Sequence, residues 1–272
     1  MTVRAVHLYL TVIALSIYAV TGNGACDEVP ELVTDRPDQT ESSVVVPRGS
    51  VQVETGMVHT KAGENTVTEL PGTLFRIGLH NRVELRIGTE GWVIDEEMDT
   101  VRYGDSDMGA KIFLWGENGW IPETALLAGV CIPTAKKDFS SKRFDPELRC
   151  ACSHTTLRWA SSHTLSDRLS LGYNVAVAWE CSENENGNRA ILASMPYSIV
   201  CGIGLSDALG TYIEFFGDTP INAYGGTANL IDGGFTYLVT DTFQLDISGG
   251  FGISDEAEDW FIASGISYRI QR

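Results

Sequence analysis

From Phe243 to Ile253 the odd positions read Phe243, Leu245, Ile247, Gly249, Phe251 and Ile253, and the even positions between Thr242 and Gly252 read Thr242, Gln244, Asp246, Ser248, Gly250 and Gly252. After Ser254–Asp259 the alternation resumes, with Trp260, Ile262, Ile266, Tyr268 and Ile270 set against Ala263, Gly265, Ser267 and Arg269. A period of two gives a strand one apolar and one polar face. Two such strands of about ten residues, joined by a loop, predict the closing hairpin of a transmembrane β-barrel.

The rest of the chain repeats the pattern. About twelve strand candidates follow one another: Ser50–His59, Thr73–His80, Arg82–Trp92, Asp107–Gly116, Ile121–Thr134, His154–Ser162, Arg168–Cys181, Ala190–Ile203, Ala208–Gly217, Thr227–Val239 and the two above. In Arg168–Cys181, Leu169, Leu171, Tyr173, Val175, Val177 and Trp179 face one way, and Ser170, Gly172, Asn174, Ala176, Ala178 and Glu180 the other. Connections at His80–Asn81, Glu117–Trp120, Thr164–Asp167, Leu205–Asp207 and Val239–Asp241 are short. They alternate with longer segments at Thr60–Leu70, Asp95–Ser106, Ala135–Cys152, Ser182–Asn188, Asp218–Tyr224 and Ser254–Asp259. Outer-membrane barrels alternate short periplasmic turns with long external loops in this way, which a soluble sandwich has no reason to do. Pro196 falls inside a strand of a barrel that has no free edge, so a bulge or local break is expected there. The predicted fold is all-β, an antiparallel up-and-down transmembrane barrel over residues 50–272.

Met1–Ala25 has the form of a secretory signal: Arg4, an apolar run from His7 to Val20, then the small residues Thr21–Ala25. A retained anchor, or lipidation at Cys26 after Gly24-Ala25, are the alternatives. Residues 26–49 read as a periplasmic tail: polar, with Pro30, Pro37 and Pro47, and aperiodic apart from Val44–Val46. Export makes disulfides plausible among the six cysteines. Strand direction places Cys131, Cys150, Cys152 and Cys181 near the external end, with Cys201 at the other; zinc at Cys150-x-Cys152 is the rival reading. The formal net charge of −17 opposes a nucleic-acid partner. Ser153-His154 and Ser161-Ser162-His163 put histidines beside hydroxyls, but there is no Gly-x-Ser-x-Gly elbow, phosphate loop or dinucleotide fingerprint. No enzyme activity, cofactor or metal is expected.

The run Thr34-Asp35-Arg36-Pro37-Asp38-Gln39-Thr40-Glu41, followed by the strand Gly49–Gly56, resembles the start of an exported family, the MetA-pathway of phenol degradation proteins. Its members are similar to outer-membrane β-barrels. The resemblance is specific over about 25 residues and pattern-level beyond them. It implies uptake of an aromatic or hydrophobic solute.

A charge at mid-membrane on a barrel's lipid face costs about 2–4 kcal/mol for Lys or Arg. The apolar face is therefore expected outside, with Trp92, Trp115, Trp179, Trp260 and Tyr268 as interfacial aromatics. A secreted soluble barrel would invert the two faces. The predicted lumen set is Gln52, Glu54, Arg76, Arg82, Glu84, Arg86, Glu90, Lys111, Arg158, Glu180, Glu214, Asp246 and Arg269, with Phe113 and Tyr212 inward by parity. Twelve strands spaced about 4.8 Å apart and tilted about 40° enclose a backbone diameter of roughly 24 Å. The inward charges then form either a packed polar core or a selectivity lining. Asp35, Arg36, Pro37 and Asp38 either plug the lumen or belong to a free leader. The function expected is passage of small, hydrophobic or aromatic compounds across the bacterial outer membrane. The rival is a closed structural or adhesive barrel working through its acidic loops. Expected partners are membrane lipid, the solute and the outer-membrane assembly machinery.

Overall fold

The structure, a computed structural model, describes residues 31–97, 99–132, 134–135, 154–183, 189–222 and 225–271. The expected signal segment, Cys26, Cys150 and Cys152 lie outside these residues, as do most of the Ala135–Cys152 connection and the side chains of Glu180 and Cys181.

The strands are β1 (Val51–Ala62), β2 (Asn65–His80), β3 (Val83–Thr89), β4 (Trp92–Asp95), β5 (Thr100–Tyr103), β6 (Ser106–Trp115), β7 (Glu123–Ile132), β8 (His154–Ser166), β9 (Leu169–Glu183), β10 (Arg189–Gly204), β11 (Leu209–Pro220), β12 (Ala228–Thr240), β13 (Phe243–Gly252) and β14 (Trp260–Ile270). All pairings are antiparallel. β1 pairs with β14 from Val51↔Ile270 to Lys61↔Trp260 and with β2 on its other side, which closes the sheet. β2 pairs with β3 through Thr73–His80 and with β4 through Val67–Leu70, so β3 and β4 are one stave broken at Glu90–Gly91. β5 likewise leads into β6, across Gly104–Asp105. The result is a closed barrel of twelve staves.

Polarity is inverted relative to a water-soluble core. Gln52, Glu54, Arg76, Glu84, Lys111 and Glu214 are at most 1% exposed, whereas Ile213, Phe235, Ile247 and Phe251 are all more than half exposed on the outer wall. Leaving such a belt bare is favourable only when the surrounding solvent is lipid. Trp92 packs edge-on against Tyr103 and Trp115 against Trp159, both pairs on the outer face towards the strand ends, where interfacial aromatics belong.

Two expectations change. Thr60–Leu70 is not a long loop: β1 and β2 run on to Ala62 and Asn65 and turn at Gly63–Glu64, where Gly63 takes φ +59°. Asp95–Ser106 contains the β4–β5 hairpin, paired from Trp92↔Tyr103 to Asp95↔Thr100. Strands that continue beyond a bilayer meet water on both faces and lose the alternation that marks them in sequence. At Pro196 the expected local break is present: the ladder between β9 and β10 lapses from Ser194↔Ala178 to Tyr197↔Val175 and resumes in the same register, with no bulge. Its pairing with β11 is uninterrupted, at Pro196↔Asp218.

Candidate functional site

Residues 31–49 run inside the barrel, between the end carrying the short turns and mid-height. The segment passes from Glu31, whose carbonyl accepts from Arg269 Nη1 (2.9 Å), to Gly49, whose N–H donates to the Gly78 carbonyl (2.8 Å). A stretch with no strand ladder of its own must find other partners for its backbone groups, and here the walls provide them. Gln39 N–H donates to Glu214 (2.7 Å), Glu41 N–H to Asn174 Oδ1 (2.8 Å) and Val46 N–H to Glu84 (2.8 Å). The Val33 carbonyl accepts from Gln52, and the Val44 carbonyl from Arg76.

On the wall formed by β1, β2, β3 and β6 the contacts are ionic and buried. Asp35 sits among three cations, 3.1 Å from Arg76, 2.8 Å from Lys111 and bonded to Arg86. Arg76 also pairs with Glu54 and Glu84, each at 2.9 Å, and Arg86 with Glu41 at 2.8 Å. Desolvating so many charges is costly unless each finds opposite charge and hydrogen bonds. Here the carboxylates of the segment complete what the barrel strands leave unbalanced. Arg36 makes a separate pair with Asp246 on β13 at 3.0 Å. Its guanidinium lies over the facing pair Gly56 and Gly265 of β1 and β14, where a Cβ on either residue would collide with it.

On the opposite wall, β8 to β12, the contacts are hydrogen bonds. The Thr40 hydroxyl lies between Ser198 Oγ, 2.7 Å away, and the Glu214 carboxylate, bonded to both. Asn174 holds Glu41 through both its N–H and its carbonyl. Ser43 bonds Glu123 of β7 and Ser162 of β8, both at 2.7 Å. Two cavities flank this line. One of about 220 Å³ lies towards the long loops, lined by Gln39, Arg158, Asn174, Pro196, Phe216 and Leu230 among others. One of about 440 Å³ lies towards the short turns, lined by Arg36, Pro37, Asp38, Val200, Tyr212 and Gln244 among others.

Of the residues expected in the lumen, Glu54, Arg76, Glu84, Arg86, Lys111, Glu214, Asp246 and Arg269 are all buried there. Arg158 is half-buried beside the long-loop cavity, and Glu90 lines a third cavity of about 260 Å³ at the same end. Glu180 lies on β9, with its side chain outside the described residues. Arg82 departs from expectation. It stands exposed in the β2–β3 turn with its guanidinium 5.9 Å from the Phe113 ring, because the ladder ends at Val83 and the rim is open to water. Tyr212 donates to Asp232 Oδ2 (3.1 Å). Cys131 is buried, with Sγ 3.4 Å from the Ser106 carbonyl, and Cys201 lies on β10 near the short turns. Thr40, Glu41, Ser198 and Asp232 were missed. Strand parity marks Ser198 and Asp232 as inward, but Thr40 and Glu41 carry no periodic signal.

A family model described as Putative MetA-pathway of phenol degradation matches residues 34–270. The chain belongs to that family. Its matched region begins at Thr34, inside the lumen segment. No curated protein sequence matches the chain significantly. Among solved structures, the COG4313 outer membrane channel from Pseudomonas putida F1 is similar at 12% identity and TM-score 0.60, covering 84% of this chain and 98% of that one. The NanC porin is similar at 9% identity and TM-score 0.56, covering 81% of this chain and all of the porin. The likeness is one of fold: the chain forms a barrel of the outer-membrane porin type.

Proposed function

We propose that the protein is an outer-membrane channel for passive or facilitated uptake of small hydrophobic or aromatic compounds, with residues 31–48 as a plug carried in the lumen. One observation carries the reading. Along β8–β12 a cavity opens on each side of Gln39 and Thr40, and a short set of hydrogen bonds to Ser198, Glu214 and Asn174 separates them. A hydrogen bond contributes about 1 kcal/mol net, or about 1.5–3 kcal/mol where a carboxylate accepts it, so this side can detach at lower cost than the ion pairs opposite. The solute passes along the β8–β12 wall while Asp35 keeps the segment anchored. The fold and the family's description support the channel reading and its link to aromatic compounds. On this reading the long loops face outward from a Gram-negative cell, the first 25 residues are the export signal, and the assembly machinery inserts the barrel.

The filled lumen also favours a second reading, a closed barrel that works through acidic external residues such as Asp255, Glu256 and Asp259. Planar-bilayer recordings of the intact protein and of a form lacking residues 31–48 separate the two. The channel reading expects discrete steps that become larger and more persistent when the segment is removed. Silence from the shortened barrel, shown to be folded by its heat-modifiable migration in gels, would contradict it.

A further inference from the structure

We propose that the cavity on the long-loop side is a recognition site for a single-ring monocarboxylate, with Arg158 as the carboxylate receptor. The inference rests on the channel reading, since it makes this cavity the first seat on the route. Among the lumen's other cations, Arg36, Arg76, Arg86 and Lys111 are engaged in ion pairs, and buried Arg269 donates to the Glu31 carbonyl. Arg158 makes none among the described residues. It donates through Nη1 to the Gln39 carbonyl (3.2 Å) and to Asn174 Oδ1 (3.3 Å), and it lines the cavity. Asn174 is 6% exposed and is itself clamped by the backbone of Glu41. A guanidinium held at one nitrogen by a buried, fixed partner is preorganised to bind a planar carboxylate with its remaining N–H groups.

The opposite side of the cavity accepts a ring. Phe216, Leu230, Pro196 and Ala228 contribute the apolar surface, and Phe216 is steadied edge-on against buried Phe261 at 6.3 Å. A dry cavity of about 150 Å³ takes up a benzene molecule, so about 220 Å³ holds one ring with a small polar substituent. Asp218 on β11 sets a limit. It lies three staves from Arg158, roughly 14 Å at the usual strand spacing, and among the described residues its carboxylate bonds Ser194 alone, at 2.9 Å. A second negative group pointing that way would meet its carboxylate, so monoanions are preferred to dianions.

Binding is measured by equilibrium dialysis of the intact, detergent-solubilised protein with benzoate, benzamide, terephthalate and acetate as probes. Benzoate is expected to bind saturably at one site, more tightly than each of the other three. Arg158→Gln weakens benzoate about ten- to hundredfold, the usual range for a lost charge-assisted pair, and leaves benzamide unchanged. Arg158→Lys retains part of the affinity. Phe216→Ala weakens benzoate and benzamide alike. Benzoate binding equally to the parent and to folded Arg158→Gln protein, or acetate matching benzoate, would overturn the site. The channel reading fails separately. A barrel that conducts but ignores benzoate loses only the site, and one that binds benzoate through Arg158 but never conducts without residues 31–48 loses only the channel.

Discussion

The two walls of the lumen hold the same segment by different chemistry. On β1–β3 and β6, Asp35 and Glu41 meet Arg76, Arg86 and Lys111 in a buried ion-paired network. On β8–β11, Thr40 meets Ser198 and Glu214, and the Glu41 backbone meets Asn174, with cavities above and below. Breaking one partner out of a buried ionic set typically costs 3–5 kcal/mol, whereas losing one hydrogen bond costs about 1 kcal/mol, or about 1.5–3 kcal/mol where a carboxylate accepts it. The segment is therefore tethered on one side and detachable on the other. On the proposed function, a plug built this way would uncover a path without leaving the barrel.

The largest effect is expected from Asp35→Ala, which leaves three buried cations facing too little negative charge. Urea unfolding of the barrel in lipid vesicles should show a loss of about 3–5 kcal/mol. A loss no larger than that of Ser198→Ala would erase the distinction between the walls. Next comes Gly265→Val, which puts side-chain atoms where the Arg36 guanidinium lies and expels it from Asp246. Overpacking of this kind costs about 1–3 kcal/mol. The same unfolding assay should show that loss, and an added Arg36→Ala change should recover part of it. Thr40→Val should cost about 1.5–3 kcal/mol, since a carboxylate accepts the lost bond, and act more on opening than on stability.

The smallest effect lies at the turns. Glu117 accepts from the Thr164 N–H at 3.0 Å, and this bond, with His163 3.4 Å away, holds its carboxyl below the usual range. A depressed folded-state value means that the group stabilises fully above its unfolded value of about 4.3. The contribution is lost as pH falls through the folded value. Unfolding midpoints of Glu117→Gln and the parent should differ slightly at neutral pH and converge in acid. A gap that persists in acid would remove Glu117 as a turn staple.

Much of the barrel can be read directly from residue order. The inward parity of Glu54, Arg76, Glu84 and Lys111 follows from strands that must turn Val53, Phe75, Leu85 and Ile112 to lipid, and the structure buries all four charges. Arg82 misleads because parity cannot tell where a ladder stops at the rim. Thr66–Leu70 and Thr100–Tyr103 escape notice because paired strands standing outside the bilayer need no apolar face. The course of residues 31–49 is set by partners far away in sequence, such as Asp246 for Arg36 and Glu214 for Thr40. Only the completed barrel brings those partners together. Glycines at 56 and 265 look like ordinary strand glycines until the Arg36 guanidinium is found above them.

Single-channel recording tests most directly whether the hydrogen-bonded wall opens while the ion-paired wall holds. Thr40→Val combined with Ser198→Ala releases the segment from β10 and leaves Asp35 in its cation cluster. More frequent conducting steps are expected from this double variant than from the parent, with unfolding stability lowered by no more than about 3 kcal/mol. A double variant that stays as quiet as the parent, while Asp35→Asn alone conducts, would contradict it and place the gate on the charged wall.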